Sequence, residues 1–66
     1  MKSILITKEV AQILRVSEDY VRELIRKKKI KAYKEGSRGG FRIPADEVSK
    51  YVKRKQESYE KIKEVN

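Results

Sequence analysis

The sequence predicts a small, mainly α-helical domain with one β-hairpin, in the order helix, helix, strand, strand, helix. Three observations support this fold class. Apolar residues recur at helical spacing in residues 8–14, 18–28 and 45–55. Between the second and third of these segments, apolar and basic residues alternate in two short runs, which is typical of half-buried strands. Glycines separate the two runs, as they do at the tip of a hairpin.

Length and composition limit what the chain can be. With 66 residues it forms one domain at most, too small to enclose a large pocket. It has no Cys and no His, which removes disulfides, most metal sites and most acid–base or nucleophilic chemistry near neutral pH. We therefore expect no enzymatic activity, no cofactor and no metal. The apolar runs are too short to span a bilayer and no signal-peptide pattern is present, so we expect a cytoplasmic protein.

The first helix is predicted over residues 8–14. Thr7 has the side chain of an N-cap, because its hydroxyl can accept from the free N–H groups of the first turn. Glu9 places a negative charge at the positive end of the helix dipole. Residues 1–6 form a short apolar lead that is either a strand or an extended arm. The apolar face of this helix carries Val10, Ala11 and Leu14.

The second helix, predicted over residues 18–28, follows after a very short turn. Ser17 is its predicted N-cap, and acids occupy the first turn. Two short amphipathic helices separated by a tight turn form a helix-turn-helix, whose second helix enters the major groove of DNA. Its apolar face carries Val21, Leu24 and Ile25.

The hairpin follows the second helix. Residues 30–34 alternate apolar and basic, residues 36–40 supply glycines for a turn, and residues 41–43 alternate again. A hairpin attached to a helix-turn-helix is called a wing. Its glycine-rich tip carries Arg38.

Pro44 closes the second strand, and the third helix is predicted over residues 45–55. Asp46 and Glu47 charge the first turn of this helix favourably. We therefore divide the chain into a domain of residues 1–55 and a charged tail of residues 56–66, which either extends the helix or frays.

Positive charge is concentrated in the middle of the chain. Residues 22–42 contain nine Lys or Arg and two Glu, a net charge of +7, whereas the whole chain carries +8. This concentration indicates a polyanionic partner, either nucleic acid or an anionic membrane surface. Membrane binding favours basic residues on one face of an amphipathic helix, whereas here they are spread over a helix, a strand and a turn. The pattern favours double-stranded DNA and no membrane partner, with an acidic protein partner as the less favoured alternative.

Each part of this basic stretch has a predicted role in DNA binding. Arg22 is placed to contact guanine edges and Arg26 a phosphate, whereas Tyr20 either contacts DNA or covers the helix. Recognition-helix candidates are Ser17, Glu18, Asp19, Tyr20, Arg22, Glu23 and Arg26. Candidates for phosphate contacts are Lys27, Lys28, Lys29, Lys31, Lys34 and Arg42. In the wing, the candidates for contacts in the minor groove are Ser37 and Arg38.

Two adjacent acids, Glu18 and Asp19, open the second helix. A catalytic or metal-binding pair would have to converge, but adjacent side chains on a helix point about 100° apart. The helix dipole accounts for both acids without any chemistry. If either faces DNA, it accepts from the N4 amino group of cytosine and adds specificity while lowering general affinity.

Several of these motifs follow one another in an order typical of a family. An apolar-Thr start is followed by Glu9, the first turn reads A-x-x-L-x-V-S, and the wing ends in Phe41 followed by Arg-Ile-Pro. Over residues 4–53 the sequence resembles the excisionase-type, MerR-like winged helix-turn-helix domains. The residues that carry the resemblance are Ile6, Thr7, Glu9, Ala11, Leu14, Val16, Ser17, Val21, Leu24, Ile25, Arg26, Gly36, Phe41, Arg42, Ile43 and Pro44.

The resemblance implies a role in DNA recombination. MerR-type regulators continue into a long dimerisation helix and an effector domain, whereas this chain ends soon after the third helix, so it looks like a stand-alone excisionase of a phage or integrative element. Such proteins bind repeated sites near an attachment site, bend the DNA and assist a partner integrase in excision. The resemblance thus implies an integrase partner, a monomer in solution with cooperative DNA binding, and a location in the bacterial nucleoid. A small transcriptional regulator or repressor that uses the same surface is the alternative.

Overall fold

The computed structural model describes residues 3–36 and 39–65. Within these residues the chain forms three helices and a three-stranded antiparallel sheet. This arrangement confirms the predicted mainly α-helical winged helix-turn-helix class and adds a strand at the start of the chain. In chain order the elements are β1 (Ile4–Ile6), α1 (Thr7–Leu14), α2 (Glu18–Arg26), β2 (Tyr33–Lys34), β3 (Phe41–Pro44) and α3 (Ala45–Val65).

The sheet has the strand order β1-β3-β2, so β3 is the central strand. Leu5 of β1 lies opposite Ile43 of β3, and Tyr33 of β2 lies opposite Arg42. The backbone N–H of Ala45 donates to the carbonyl oxygen of Ser3 at 2.8 Å and continues the pairing past the end of β3. The apolar lead, for which the sequence left a strand and an arm open, therefore contains a strand that supports the base of the wing.

The first helix begins one residue earlier than the sequence predicts, and Thr7 is not its N-cap. Ile6 occupies the cap position with an extended backbone, and Thr7 lies inside the helix as a buried residue. The Glu9 carboxylate accepts from the backbone N–H of Ile6 at 3.0 Å. The prediction for Thr7 was wrong because the Glu9 side chain reaches back over the first turn and satisfies the N–H of the residue in the cap position.

The second helix is capped by Ser17, as predicted, whose Oγ accepts from the backbone N–H of Tyr20 at 3.1 Å. It ends at Arg26, two residues before the predicted end. Lys28 has a φ of 61° and leaves the right-handed helical region. The backbone N–H of Lys29 then donates to the carbonyl oxygen of Leu24 at 2.8 Å, which closes the turn after the helix.

The strand predicted over residues 30–34 is shorter in the structure, where β2 contains only Tyr33 and Lys34. The alternation of apolar and basic residues has a different cause at its start. Ile30 lies in the turn after α2 and points into the core, with 1% of its surface exposed. A buried residue between exposed lysines in this turn therefore produces the same alternation of apolar and basic residues as a strand.

The core is small and draws on every larger element. The four largest fully buried side chains are Val10 from α1, Val21 from α2, Ile30 from the turn and Ile43 from β3. Around them lie the other buried apolar residues, Leu5, Ala11, Leu24, Val48 and Tyr51. Among the residues whose burial the structure describes, those that the third helix contributes to this core lie in its first turns. The helix continues to Val65, past the predicted end at residue 55.

Two glycines are required by the hairpin between β2 and β3. Gly36 has a φ of 76°, which side chains rarely tolerate. A Cβ built on Gly39 would collide with the backbone carbonyl oxygen of Glu35, whereas a Cβ on Gly40 would meet open space. The loop therefore needs Gly36 and Gly39 for its path, but it does not need Gly40.

We expect Gly39→Ala to lower the free energy of unfolding by about 1–3 kcal/mol, because the backbone of the loop must shift to admit the methyl group. Gly40→Ala makes the same chemical change one residue away and should leave stability within about 0.5 kcal/mol of the unmodified protein. Urea unfolding followed by circular dichroism measures both changes. Equal stabilities of the two variants would contradict the close approach of Gly39 to Glu35.

Candidate nucleic-acid interface

The exposed face of α2 carries ion pairs within the helix. The guanidinium of Arg22 lies 2.6 Å from the Asp19 carboxylate and 3.5 Å from that of Glu18. Arg26 lies 3.0 Å from the Glu23 carboxylate, and Lys27, the residue after the helix, lies 3.7 Å from the same carboxylate. Because three acids balance three cations, this segment carries no net charge.

A basic groove lies between α2, the start of α1 and the hairpin, and we call it the wing groove. It has a volume of about 490 Å³ and brings together five cationic side chains and one acidic side chain, that of Glu18. Arg22 and Arg26 line it from α2, so one side of the predicted recognition helix faces this groove. The cations are Lys8, Arg22, Arg26, Lys34 and Arg42.

Within the wing groove, Lys34 is positioned by an aromatic ring. Its ammonium lies 5.2 Å from the centroid of the Phe41 ring, within the range of a cation–π interaction. Phe41 is partly buried and packs against the core, so the ring that positions the ammonium is itself fixed. Lys34 therefore presents its charge at a defined place on the wing.

The other side of α2 faces α3 through Tyr20. Tyr20 is 46% exposed and lines one groove together with Tyr51, which is buried. The pKa of Tyr51 is raised, first because burial disfavours the phenolate and second because Tyr20 lies beside it, while Arg54 acts in the opposite direction. Tyr20 thus joins the recognition helix to α3.

The turn after α2 is also held by α3. The guanidinium of Arg54 donates to the backbone carbonyl oxygen of Lys29 at 2.7 Å, across 25 positions of sequence. Neither Arg54 nor Lys8 of the wing groove was predicted from the sequence to have a role. The position of Arg54 offered one signal, since it follows Tyr51 by three residues and so shares its helix face.

The remaining predicted residues are spread around α2. Lys27, Lys28, Lys29 and Lys31 are exposed in and after the turn. Lys27 and Lys29 lie on the α3 side, next to Tyr20, rather than in the wing groove. Ser37 and Arg38, predicted to enter the minor groove, lie outside the residues that the structure describes.

Two other classes of site have no counterpart in residues 3–36 and 39–65. No cluster of acidic residues there is arranged to hold a metal ion. No helix in that part of the chain has the length and apolar character needed to cross a membrane.

A family model described as a helix-turn-helix domain matches residues 5–56, which contain both helices, the hairpin and the first half of α3. No curated protein and no solved structure matches the chain.

Lys28 holds a cation in a strained backbone conformation, because a φ of 61° costs a residue with a Cβ about 1–2 kcal/mol. We expect Lys28→Gly to raise the free energy of unfolding by about 1 kcal/mol. Lys29→Gly removes the same charge at a residue without positive φ and should lower it by about 0.5–1 kcal/mol. Urea unfolding at matched ionic strength measures both, and changes of the same sign would contradict the explanation.

Proposed function

We propose that this chain, which belongs to the helix-turn-helix domain family, binds double-stranded DNA in a sequence-specific manner with α2 in the major groove. Membership of the family supports DNA binding. The observation that carries the geometry is the wing groove, where five cations lie beside the exposed face of α2. Phosphates of one DNA strand fit this charge while the helix enters the adjacent groove.

In this arrangement the cations of the wing groove have two roles. Arg42, Lys34 and Lys8 come from β3, β2 and α1, so they surround the side of α2 and suit contacts to the backbone of DNA. Arg22 and Arg26 come from α2 itself and reach toward base edges and phosphates. Arg22 has the bidentate guanidinium that suits guanine.

The acids of α2 shape specificity. In the free protein Glu18 and Asp19 hold Arg22, so binding to any duplex requires Arg22 to exchange carboxylates for a base or a phosphate. The same carboxylates lie near the phosphates of an unrelated sequence and repel them. At a matching site they accept from cytosine N4 and their repulsion is offset. We infer that the neutral helix lowers affinity for random DNA more than for its own site.

The wing completes the interface in this proposal. Ser37 and Arg38 lie in the sequence between Gly36 and Gly39, the two glycines that the hairpin requires. An arginine at such a tip suits the minor groove next to the site, where narrow A·T segments concentrate negative potential.

The finer proposal is that the protein acts as an excisionase. Support comes from the motifs of residues 4–53, which resemble excisionase-type domains, and from the helix-turn-helix match over residues 5–56. In this role it binds near attachment sites, bends the DNA and assists a site-specific integrase, as a monomer that binds cooperatively in the bacterial nucleoid. A transcriptional regulator would use the same surface, so the two differ in the partner rather than in the interface.

We expect the protein to bind a labelled duplex of about 20 base pairs more tightly than either single strand. With about six phosphates neutralised, the logarithm of the affinity should fall with the logarithm of the salt concentration with a slope of roughly −5. Fluorescence anisotropy between about 50 and 200 mM salt measures it. A slope near zero would overturn the proposal.

Two variants distinguish base recognition from phosphate contact, measured on a duplex selected from a random pool. Arg22→Ala should reduce the preference for the selected over random duplexes by about 10-fold to 100-fold, which corresponds to about 1–3 kcal/mol. Arg42→Gln should weaken both duplexes alike and reduce the slope by about 0.9. Equal preferences in the two variants would remove Arg22 from the reading face.

The excision role is tested with a plasmid that carries an integrated element, its attachment sites and the proposed partner integrase. We expect excision to require the protein and to fail with Arg22→Ala. Excision at the same rate without the protein, together with repression of a promoter that carries the selected site, would overturn the excision role and favour the transcriptional regulator.

A further inference from the structure

We infer that a second phosphate-binding site lies on the α3 side of α2 and holds the DNA strand opposite the one held by the wing groove. We call it the α3 groove. This inference rests on the proposed function and adds a site to it. Its lining residues are Tyr20, Glu23, Leu24, Lys27, Lys29, Tyr51 and Lys55.

The charge of the α3 groove suits an anion. Three lysines and one acid, Glu23, line the α3 groove. The carboxylate of Glu23 already pairs with Arg26 and Lys27. Lys29 and Lys55 form no ion pair with any residue that the structure describes, so their charges are available to a ligand. The α3 groove is also the smaller of the two, with a volume of about 170 Å³, compared with about 490 Å³ for the wing groove.

The two grooves lie on opposite sides of one helix. Glu18, Arg22 and Arg26 follow at intervals of four residues and form a line along α2 that faces the wing groove. Tyr20 and Lys27 lie seven residues apart and form a second line that faces the α3 groove. At 100° per residue the two lines are separated by roughly 150°.

This separation matches the shape of the major groove. A helix with its side chains is about 10–12 Å wide, and the major groove is about 12 Å wide with one phosphate strand at each edge. A helix lying in it therefore has phosphates on both sides. The wing groove supplies cations to one edge, and the α3 groove is placed to supply them to the other.

The α3 groove is fixed before any ligand binds. Arg54 of α3 donates to the backbone carbonyl oxygen of Lys29 at 2.7 Å, and Lys55 follows Arg54 in the same helix. Tyr20 and Tyr51 join the two walls above the buried Leu24. The two lysines that form no ion pair within the described residues are thus attached to elements that a hydrogen bond and side-chain packing hold together.

The helix dipole alone does not account for this cluster. Cations are favourable at the C-terminal end of a helix, and this effect is sufficient for Lys27 and Lys29. It gives no reason for Lys55, which comes from a different helix and converges on the same groove. A phosphate held between α2 and α3 accounts for all three lysines.

The test compares Lys55→Gln with Lys53→Gln in the full chain. Lys53 is exposed on the same helix, two residues away, so it points about 160° from Lys55 and does not line the α3 groove. On a random duplex we expect Lys55→Gln to reduce the salt slope by about 0.9 and Lys53→Gln to leave it unchanged. Lys29→Gln should behave as Lys55→Gln does.

Ethylation interference on the selected duplex identifies the strand. We expect Lys55→Gln to lose sensitivity to phosphates on one strand, and Arg42→Gln to lose it on the other. Equal slopes for Lys55→Gln and Lys53→Gln, or loss on the same strand as Arg42→Gln, would overturn the α3 groove while leaving the proposed function in place. Absence of duplex binding by the unmodified protein would overturn both.

Discussion

The interface depends on the packing of four side chains, Val10, Val21, Ile30 and Ile43, which are almost completely buried. They come from α1, α2, the turn after α2 and β3, so three of the elements that border the wing groove meet in one contact region. In a chain of 66 residues with a net charge of +8, a small apolar core built around these four residues must hold mutually repelling surfaces together. The relative positions of α1, α2 and β3, and with them the positions of the cations Lys8, Arg22 and Arg42, therefore depend on how these four residues pack.

The positive charge that is not balanced by acids lies around α2 rather than on it. Arg22, Arg26 and Lys27 are paired with acids of their own helix, whereas Lys34 and Arg42 approach from the wing and Lys29 and Lys55 from the opposite side. Exposed pairs of this kind contribute little to stability, about 0.3–0.5 kcal/mol each. Their importance lies in electrostatics, because the acids reduce the positive field of α2 and leave the flanking surfaces as the more positive part of the proposed interface.

Much of the fold could be predicted because it depends on local patterns. The helical spacing of apolar residues located all three helices, and Ser17 was identified as a cap because its side chain and the acids after it have a local role. What failed or was missed depends on contacts between distant parts of the chain. Ile30 alternates with lysines as a strand residue would, yet its partner is the core, and the Arg54 guanidinium finds the Lys29 carbonyl oxygen only after α3 has folded back. For the site, the sequence located the basic stretch, but it did not show that the stretch divides into two grooves or that Glu18 and Asp19 hold Arg22.

The strand order β1-β3-β2 has a consequence for how the domain folds. β2 is close to β3 in sequence but supplies only two residues, and a two-stranded hairpin of that length is not stable in water. The neighbour that completes the sheet is β1, and its pairing with β3 closes a loop that contains α1, α2 and β2. The entropic cost of closing that loop must be met before β1 pairs with β3 and stabilises the hairpin. We therefore expect the sheet to form late in folding, because its pairing is nonlocal. The hairpin and the helices should accordingly unfold in one cooperative transition, and a ligand bound only to α2 would raise the midpoint for both.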